Sequence, residues 1–171
     1  MTNSIRNTTL AMLFALSCQG AFAAQDSDDF VEDASAKGVA EIEAGKLALE
    51  KGSSADVKSF ADMMVKDHTQ ANSKLKAIAD AKKLEVSDDA QLMDKAKSMI
   101  LELRGAKSFD QAYANNQVMA HQQTIKLFED EAANGKDAEL KAFATETLPK
   151  LKAHLTHAQE LAKAHGGDAA K

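Results

Sequence analysis

The sequence predicts an all-α protein, a four-helix bundle with an extra short helix between its second and third long helices. Composition is the first reason, because the 171 residues include only eight Gly, one Pro and 5% aromatic side chains. A sandwich or barrel would need many more turns and strand-forming residues. The second reason is that apolar residues recur every three to four positions. The third is that helix caps and glycines separate these periodic stretches.

Residues 1–23 are typical of a secretory signal peptide. Arg6 supplies the positive charge, and the apolar stretch 9–17 is too short to span a bilayer as a stable anchor. The string Ala21-Phe22-Ala23 has the small residues that signal peptidase sites require. We therefore expect the mature chain to begin at Ala24 and to reach the periplasm.

The only cysteine of the chain, Cys18, lies inside this predicted leader. A mature chain without cysteine excludes a disulfide framework and a Cys-rich zinc site. An alternative interpretation makes Cys18 a lipidated N-terminus. The bulky Leu16 disfavours this alternative, because lipoproteins usually carry a small residue at that place. We expect a cleaved protein rather than a lipid-anchored one.

The predicted bundle domain covers residues 24–165, followed by a flexible tail at 166–171. Periodicity and capping patterns place the long helices at about 29–51, 55–81, 109–134 and 138–165, and the short helix at about 88–103. The string Ser108-Phe-Asp-Gln111 predicts a capping box at the third long helix. Asp137 is expected to cap the fourth, and Pro149 to kink that helix without breaking it.

Each long helix carries one strong metal-ligand residue within its apolar stripe. In chain order these residues are Glu43, His68, His121 and His154. Apolar residues lie three, four or seven positions from each of them, so all four are predicted to face the common core. A helix rises about 1.5 Å per residue, so the distance of each residue from the loop that joins its helix pair can be counted along the chain. Within each pair, the two ligand residues differ in this distance by about 6–8 Å. Side chains lean toward the N-terminus of their helix, which reduces these differences.

Two interpretations of this polar layer remain open at the level of sequence. Three neutral imidazoles and a carboxylate would suit one Zn, Cu, Ni or Fe ion. Alternatively, the imidazoles form a buried hydrogen-bonded cluster with Glu43, Asn72 or Thr147. Asp67 points about 100° away from His68, so it either meets solvent or supports a ligand from outside the layer.

Composition also excludes several classes of function. A net charge of −5 argues against nucleic-acid binding. The chain after residue 23 has no stretch of some 18 consecutive apolar residues, so no transmembrane segment is expected there. The sequence contains no Gly-rich phosphate loop and no Ser nucleophile motif. The partner itself is left open, and a second copy of the chain or an envelope protein are the candidates.

Several strings resemble an exported bacterial family, domain-of-unknown-function family 4142, which is often labelled predicted outer membrane protein. The most telling strings are Met64-Val-Lys-Asp-His68, Val118-Met-Ala-His121 and Leu148-Pro-Lys-Leu-Lys-Ala-His154. The resemblance covers about residues 28–162. It implies membership of the ferritin-like superfamily and a location in the cell envelope, but no activity.

The chain departs from di-iron members of that superfamily, which use Glu-x-x-His on two helices. Val65 and Leu151 stand three positions before His68 and His154. This argues against ferroxidase activity, iron storage and di-iron oxygenation, and favours a single ion held by the three histidines and Glu43.

The resulting expectation is a non-enzymatic periplasmic protein that binds one transition-metal ion or supports envelope stress tolerance. The first alternative is a structural or partner-binding bundle without metal. The second is a mononuclear metalloenzyme acting on reactive oxygen species, which would need an open coordination position.

Overall fold

The computed structural model describes residues 27–84, 89–99, 103 and 108–167. Within these ranges it contains five helices and no strand: α1 (Ser27–Lys51), α2 (Ala55–Lys82), α3 (Asp89–Met99), α4 (Phe109–Asn134) and α5 (Ala138–Ala164). The predicted all-α class is thus confirmed, with the short helix α3 between the two pairs of long helices. The predicted signal peptide at 1–23 and tail residues 168–171 lie outside the described ranges.

The long helices pack as two antiparallel pairs. α1 packs along α2 and α4 along α5, while the α1–α4 and α2–α5 contacts are less extensive. Ser53 and Ser54, which precede α2, bond to Asp110 in the first turn of α4. α2 and α4 therefore begin at the same end of the bundle and run parallel, while α1 and α5 run back toward that end. α3 packs against α1.

The helix ends follow the capping predictions in part. Asp137 caps α5, since its carboxylate accepts the backbone N–H groups of Glu139 and Leu140 at 3.0 and 3.1 Å. The prediction of a capping box at the start of α4 is wrong, because the Ser108 side chain makes no hydrogen bond to the backbone of the first turn. Gln111 instead donates to the carbonyl of Gly166 beyond the end of α5. α5 continues through Pro149.

Two apolar clusters fill the bundle. The Phe60 cluster, near the start of α2 and α4, includes Ala44, Val57, Phe60, Met64, Tyr113, Val118, Ala158 and Leu161. The Phe128 cluster, near the opposite end, includes Phe30, Ala34, Leu75, Ile125, Phe128, Leu140, Phe143 and Leu151. Along α2, α4 and α5, a histidine stands between the members of one cluster and those of the other. The three histidines therefore occupy the layer where the two clusters meet.

None of the helices in the described ranges combines the length and the apolar content that crossing a bilayer requires.

Candidate metal centre

His68 of α2, His121 of α4 and His154 of α5 meet in the middle of the bundle. Their ring centroids are 5.5–5.6 Å apart in all three pairings. One nitrogen from each ring lies within 4.8 Å of the other two. Each residue is at most 6% exposed. The prediction that these histidines face a common core layer is confirmed, and together they form a group that could hold a metal ion.

In two of these imidazoles, a hydrogen bond shows which ring nitrogen carries the hydrogen. His121 Nδ1 lies 2.9 Å from the Gln117 carbonyl, which can only accept, so Nδ1 carries the hydrogen. His154 Nε2 lies 3.0 Å from a carboxylate oxygen of Asp67 and donates to it. The lone pairs of a neutral ring then lie on His121 Nε2 and His154 Nδ1. This arrangement, with one nitrogen held by an acceptor, is typical of metal-binding histidines.

Three ring nitrogens are buried and have no hydrogen-bond partner in the described part of the chain. They are His68 Nε2, His121 Nε2 and His154 Nδ1. A buried polar atom without a partner costs about 1–3 kcal/mol, and most such atoms in native proteins are satisfied. The three histidines form one group, so a single metal ion bound among them would satisfy these three nitrogens at once.

The environment keeps the rings of His68 and His154 neutral. Burial and the two neighbouring histidines lower the pKa of His68 to about 3. Burial likewise lowers the pKa of His154 to about 4, against the opposing effect of its bond to Asp67. Metal ions bind the neutral form of imidazole, so at neutral pH His68 and His154 are ready to bind without losing a proton.

Asp67 connects the group to the surface. Its carboxylate accepts from His154 Nε2 at 3.0 Å and from Lys150 Nζ at 3.1 Å. Burial raises the pKa of Asp67, but these two hydrogen bonds outweigh burial, so the pKa lies below the usual value. Asp67 is therefore a carboxylate that orients His154, which is the supporting role that the sequence left open.

Glu43 does not join the three histidines, which corrects its predicted place in the core. Its side chain is 24% exposed, and it forms an ion pair with Lys46 at 2.8 Å. The physical reason is that α1 contacts α2, α3 and α4, so buried positions are distributed around much of its circumference. Apolar spacing along such a helix does not identify the face that points to the bundle axis.

The buried acid of α1 is Glu41, which the sequence reasoning missed. It is 4% exposed, accepts from Gln117 Nε2 at 2.6 Å and lies 4.0 Å from His121 Nδ1. Burial raises its pKa above the usual value, despite the opposing effects of His121, Gln117 and Lys37. Glu41 stands seven residues from Ala34 and from Ala48, but Glu43 likewise stands seven residues from Ala36, so spacing alone does not separate the two acids.

The hydrogen-bonding partners proposed for a metal-free cluster bond elsewhere. Asn72 donates to the Ser35 carbonyl at 3.1 Å, and Thr147 donates to the Phe143 carbonyl at 2.7 Å. On α1, Gly38 leaves room for Asn72, because a Cβ there would lie 2.0 Å from Asn72 Oδ1. The cluster interpretation thus loses Glu43, Asn72 and Thr147 as partners of the imidazoles.

Three imidazoles can bind a divalent ion of the first transition series. Tetrahedral Zn–N bonds of about 2.0–2.1 Å place ligand nitrogens about 3.3 Å apart. The three nitrogens lie within 4.8 Å of one another, so the rings would approach each other by at most about 1.5 Å. Three protein ligands also leave one coordination position unfilled, as in catalytic zinc sites. Without Glu43 the group is an open three-ligand set rather than the closed four-ligand set that the sequence suggested.

Fold and site together define an all-α bundle with three buried histidines that could hold a metal ion. The sequence profile of the domain of unknown function DUF4142 matches residues 15–161, so the chain belongs to this family. The resemblance drawn from the motifs around the three histidines is thereby confirmed at the level of the family. No curated protein and no solved structure matches the chain.

Proposed function

We propose that this protein binds one transition-metal ion through His68 Nε2, His121 Nε2 and His154 Nδ1. The observation that carries the proposal is the convergence of three buried histidines, each with a ring nitrogen that finds no hydrogen-bond partner in the part of the chain that the structure describes. Asp67 supports it by holding the ring of His154, and the Gln117 carbonyl does the same for His121. Zn, Cu, Ni and Fe all suit imidazole ligands.

The proposal includes export to the periplasm and a non-enzymatic role in metal binding or envelope stress tolerance. The signal-peptide pattern of residues 1–23 supports export. N-terminal sequencing of the protein isolated from periplasm should begin at Ala24. An intact N-terminus on cytoplasmic protein would contradict this part of the proposal.

Elemental analysis tests the metal site. Untagged protein should carry about one metal ion per chain, and His121→Ala should carry less than about a tenth of that amount, because losing one of three ligands removes most of the affinity. His157→Ala is the matched control, since His157 is an exposed residue of α5 outside the group and should leave the metal content unchanged.

Equal metal content in wild type and His121→Ala would overturn the site. Absence of tightly bound metal in wild type, even after dialysis against each of the four metals, would favour the alternative of a structural or partner-binding bundle.

A second candidate function follows from the exclusion of Glu43. Three ligands leave an open position, which a mononuclear metalloenzyme acting on reactive oxygen species would need. Metal-loaded wild type should then decompose superoxide or hydrogen peroxide faster than His121→Ala with the same total metal. Equal rates would leave metal binding as the function and reject the enzyme.

A further inference from the structure

A small cavity borders the histidine group. It has a volume of about 20 Å³, and His68 and His154 are among the residues that line it. Its wall includes Ala34, Asn72, Thr124, Phe128, Thr147 and Lys150. The apolar residues among these belong to the Phe128 cluster. The cavity therefore lies on the side of the histidine layer that faces that cluster.

The side of the layer toward the Phe60 cluster is lined by buried apolar side chains. Met64, Val118 and Ala158 stand one helical turn from the three histidines on that side, and each is 0% exposed. The cavity on the other side offers the space for a fourth ligand that is not part of the chain.

We propose that this cavity holds the fourth ligand of the bound ion, a single water or hydroxide that one small inorganic ligand can replace. This inference rests on the metal site proposed above and specifies what completes it. A space of about 10–15 Å³ is enough for one water, so 20 Å³ admits a ligand of one or two heavy atoms and excludes organic substrates.

The polar groups of the wall match a ligand that donates hydrogen bonds. Thr124 Oγ1 donates to the Ala120 carbonyl at 2.8 Å, and Thr147 Oγ1 donates to the Phe143 carbonyl at 2.7 Å. Each hydroxyl has thus used its only hydrogen and presents lone pairs alone to the cavity. A water or hydroxide that binds the ion through oxygen can donate to such acceptors.

Lys150 and Asp67 form part of the cavity wall where α2 meets α5, which is one of the less extensive helix contacts. The Lys150 side chain is 51% exposed and pairs with Asp67 at 3.1 Å, so this ion pair joins the cavity wall to the protein surface.

The test uses the full mature protein loaded with one equivalent of Cu²⁺, because copper reports bound water through the relaxation rate of solvent protons. Wild type should raise that rate, and ammonia, a ligand of one heavy atom that can also donate hydrogen bonds to the wall, should replace the water and alter the copper EPR spectrum. Ala34→Val fills the cavity and should reduce the increase by about threefold or more, since no room for a water remains.

Ala36→Val is the matched control, because Ala36 is a buried residue of the same helix that does not line the cavity. It should keep the wild-type relaxation rate. Failure of either variant to fold leaves the wild-type measurement decisive.

The outcomes separate this inference from the metal proposal. If wild type retains neither copper nor any of the other three metals, the metal site itself is wrong. If it retains one copper but shows neither relaxation enhancement nor a response to ammonia, the cavity inference alone is overturned, and Met64 becomes the candidate fourth ligand on the side of the Phe60 cluster.

Discussion

Two buried polar regions of the bundle differ in how completely their hydrogen bonds are formed. Asp110, 7% exposed, accepts from the backbone N–H and hydroxyl groups of both Ser53 and Ser54, and so joins the start of α4 to the start of α2. The histidine group, equally buried, has three ring nitrogens without a hydrogen-bond partner among the described residues. The Asp110 carboxylate thus has its oxygens paired within the chain, whereas the three imidazoles keep lone pairs that a bound ion would use.

The largest expected difference between the two regions is in how their contribution to stability depends on acidic pH. His68 and His154 have pKa values of about 3 and about 4, below the usual 6.5, so they stay neutral when folded but bind protons when unfolded. The unfolded state thus binds more protons below pH 6.5, and stability falls as pH drops from 6.5 toward 3–4. Urea midpoints measured between pH 7 and 4 should fall progressively, and His68→Leu should flatten this dependence.

Asp110 titrates in a different window. Burial raises its pKa, but the hydrogen bonds from Ser53 and Ser54 outweigh burial and lower the pKa to about 2. Its contribution to stability is therefore complete above the unfolded value of 3.8 and is lost as pH falls toward 2. A urea midpoint that stays constant from pH 7 to 4 would contradict the histidine part of this prediction.

Removing Asp110 should destabilise the fold and leave metal binding intact. Asp110→Ala leaves backbone and hydroxyl donors of Ser53 and Ser54 without their acceptor, so we expect a loss of about 3 kcal/mol in the free energy of unfolding. Chemical denaturation at pH 7 measures this loss. Asp62→Ala, an exposed position on α2, should change stability by less than about 0.5 kcal/mol.

Adding metal should stabilise the histidine region. Zinc at 100 times its dissociation constant should raise the free energy of unfolding by about 2.7 kcal/mol, because only the folded state presents the site. Thermal or urea unfolding with and without zinc measures the gain. His121→Ala should show none, and a gain in that variant equal to wild type would place zinc elsewhere on the chain.

Asp67 should act on metal affinity more than on the fold. Asp67→Asn removes the carboxylate that orients His154, and loss of such a supporting partner weakens metal binding by about 10–100-fold. Competition with a chromophoric chelator measures the affinity. If Asp67→Asn binds zinc as wild type does, the Asp67–His154 bond has no role in the site.

The smallest effect is expected from a substitution of Glu43, the partly exposed acid of α1. Glu43→Gln removes only a surface ion pair with Lys46, so stability should change by less than about 1 kcal/mol and metal affinity should not change. Glu41→Gln is the variant to compare with it, because Glu41 is the acid of α1 that lies beside His121 and accepts a hydrogen bond from Gln117. A loss of metal in the Glu43→Gln variant would show that Glu43 is a metal ligand, as the sequence predicts.

Much of the site was predictable because α2, α4 and α5 each bury one clear face. Apolar residues recur every three or four positions on either side of His68, His121 and His154. Each of these histidines is at most 6% exposed in the fold. Glu43 was misplaced because α1 has neighbours on three sides. The ferritin-like arrangement of the bundle and the export of the protein remain predictions.

The sequence alone determined that the chain forms long helices, where most of them begin and end, and that three of them bury a histidine, because periodicity and capping are local properties of each segment. Only the tertiary structure decided which acid of α1 is buried, that Asp67 and not Glu43 supports the histidines, and that a cavity lies on one side of them. These facts depend on contacts between residues some 37 to 87 positions apart in the chain, such as Asn72 with Ser35 and Asp67 with His154, and no local pattern encodes them.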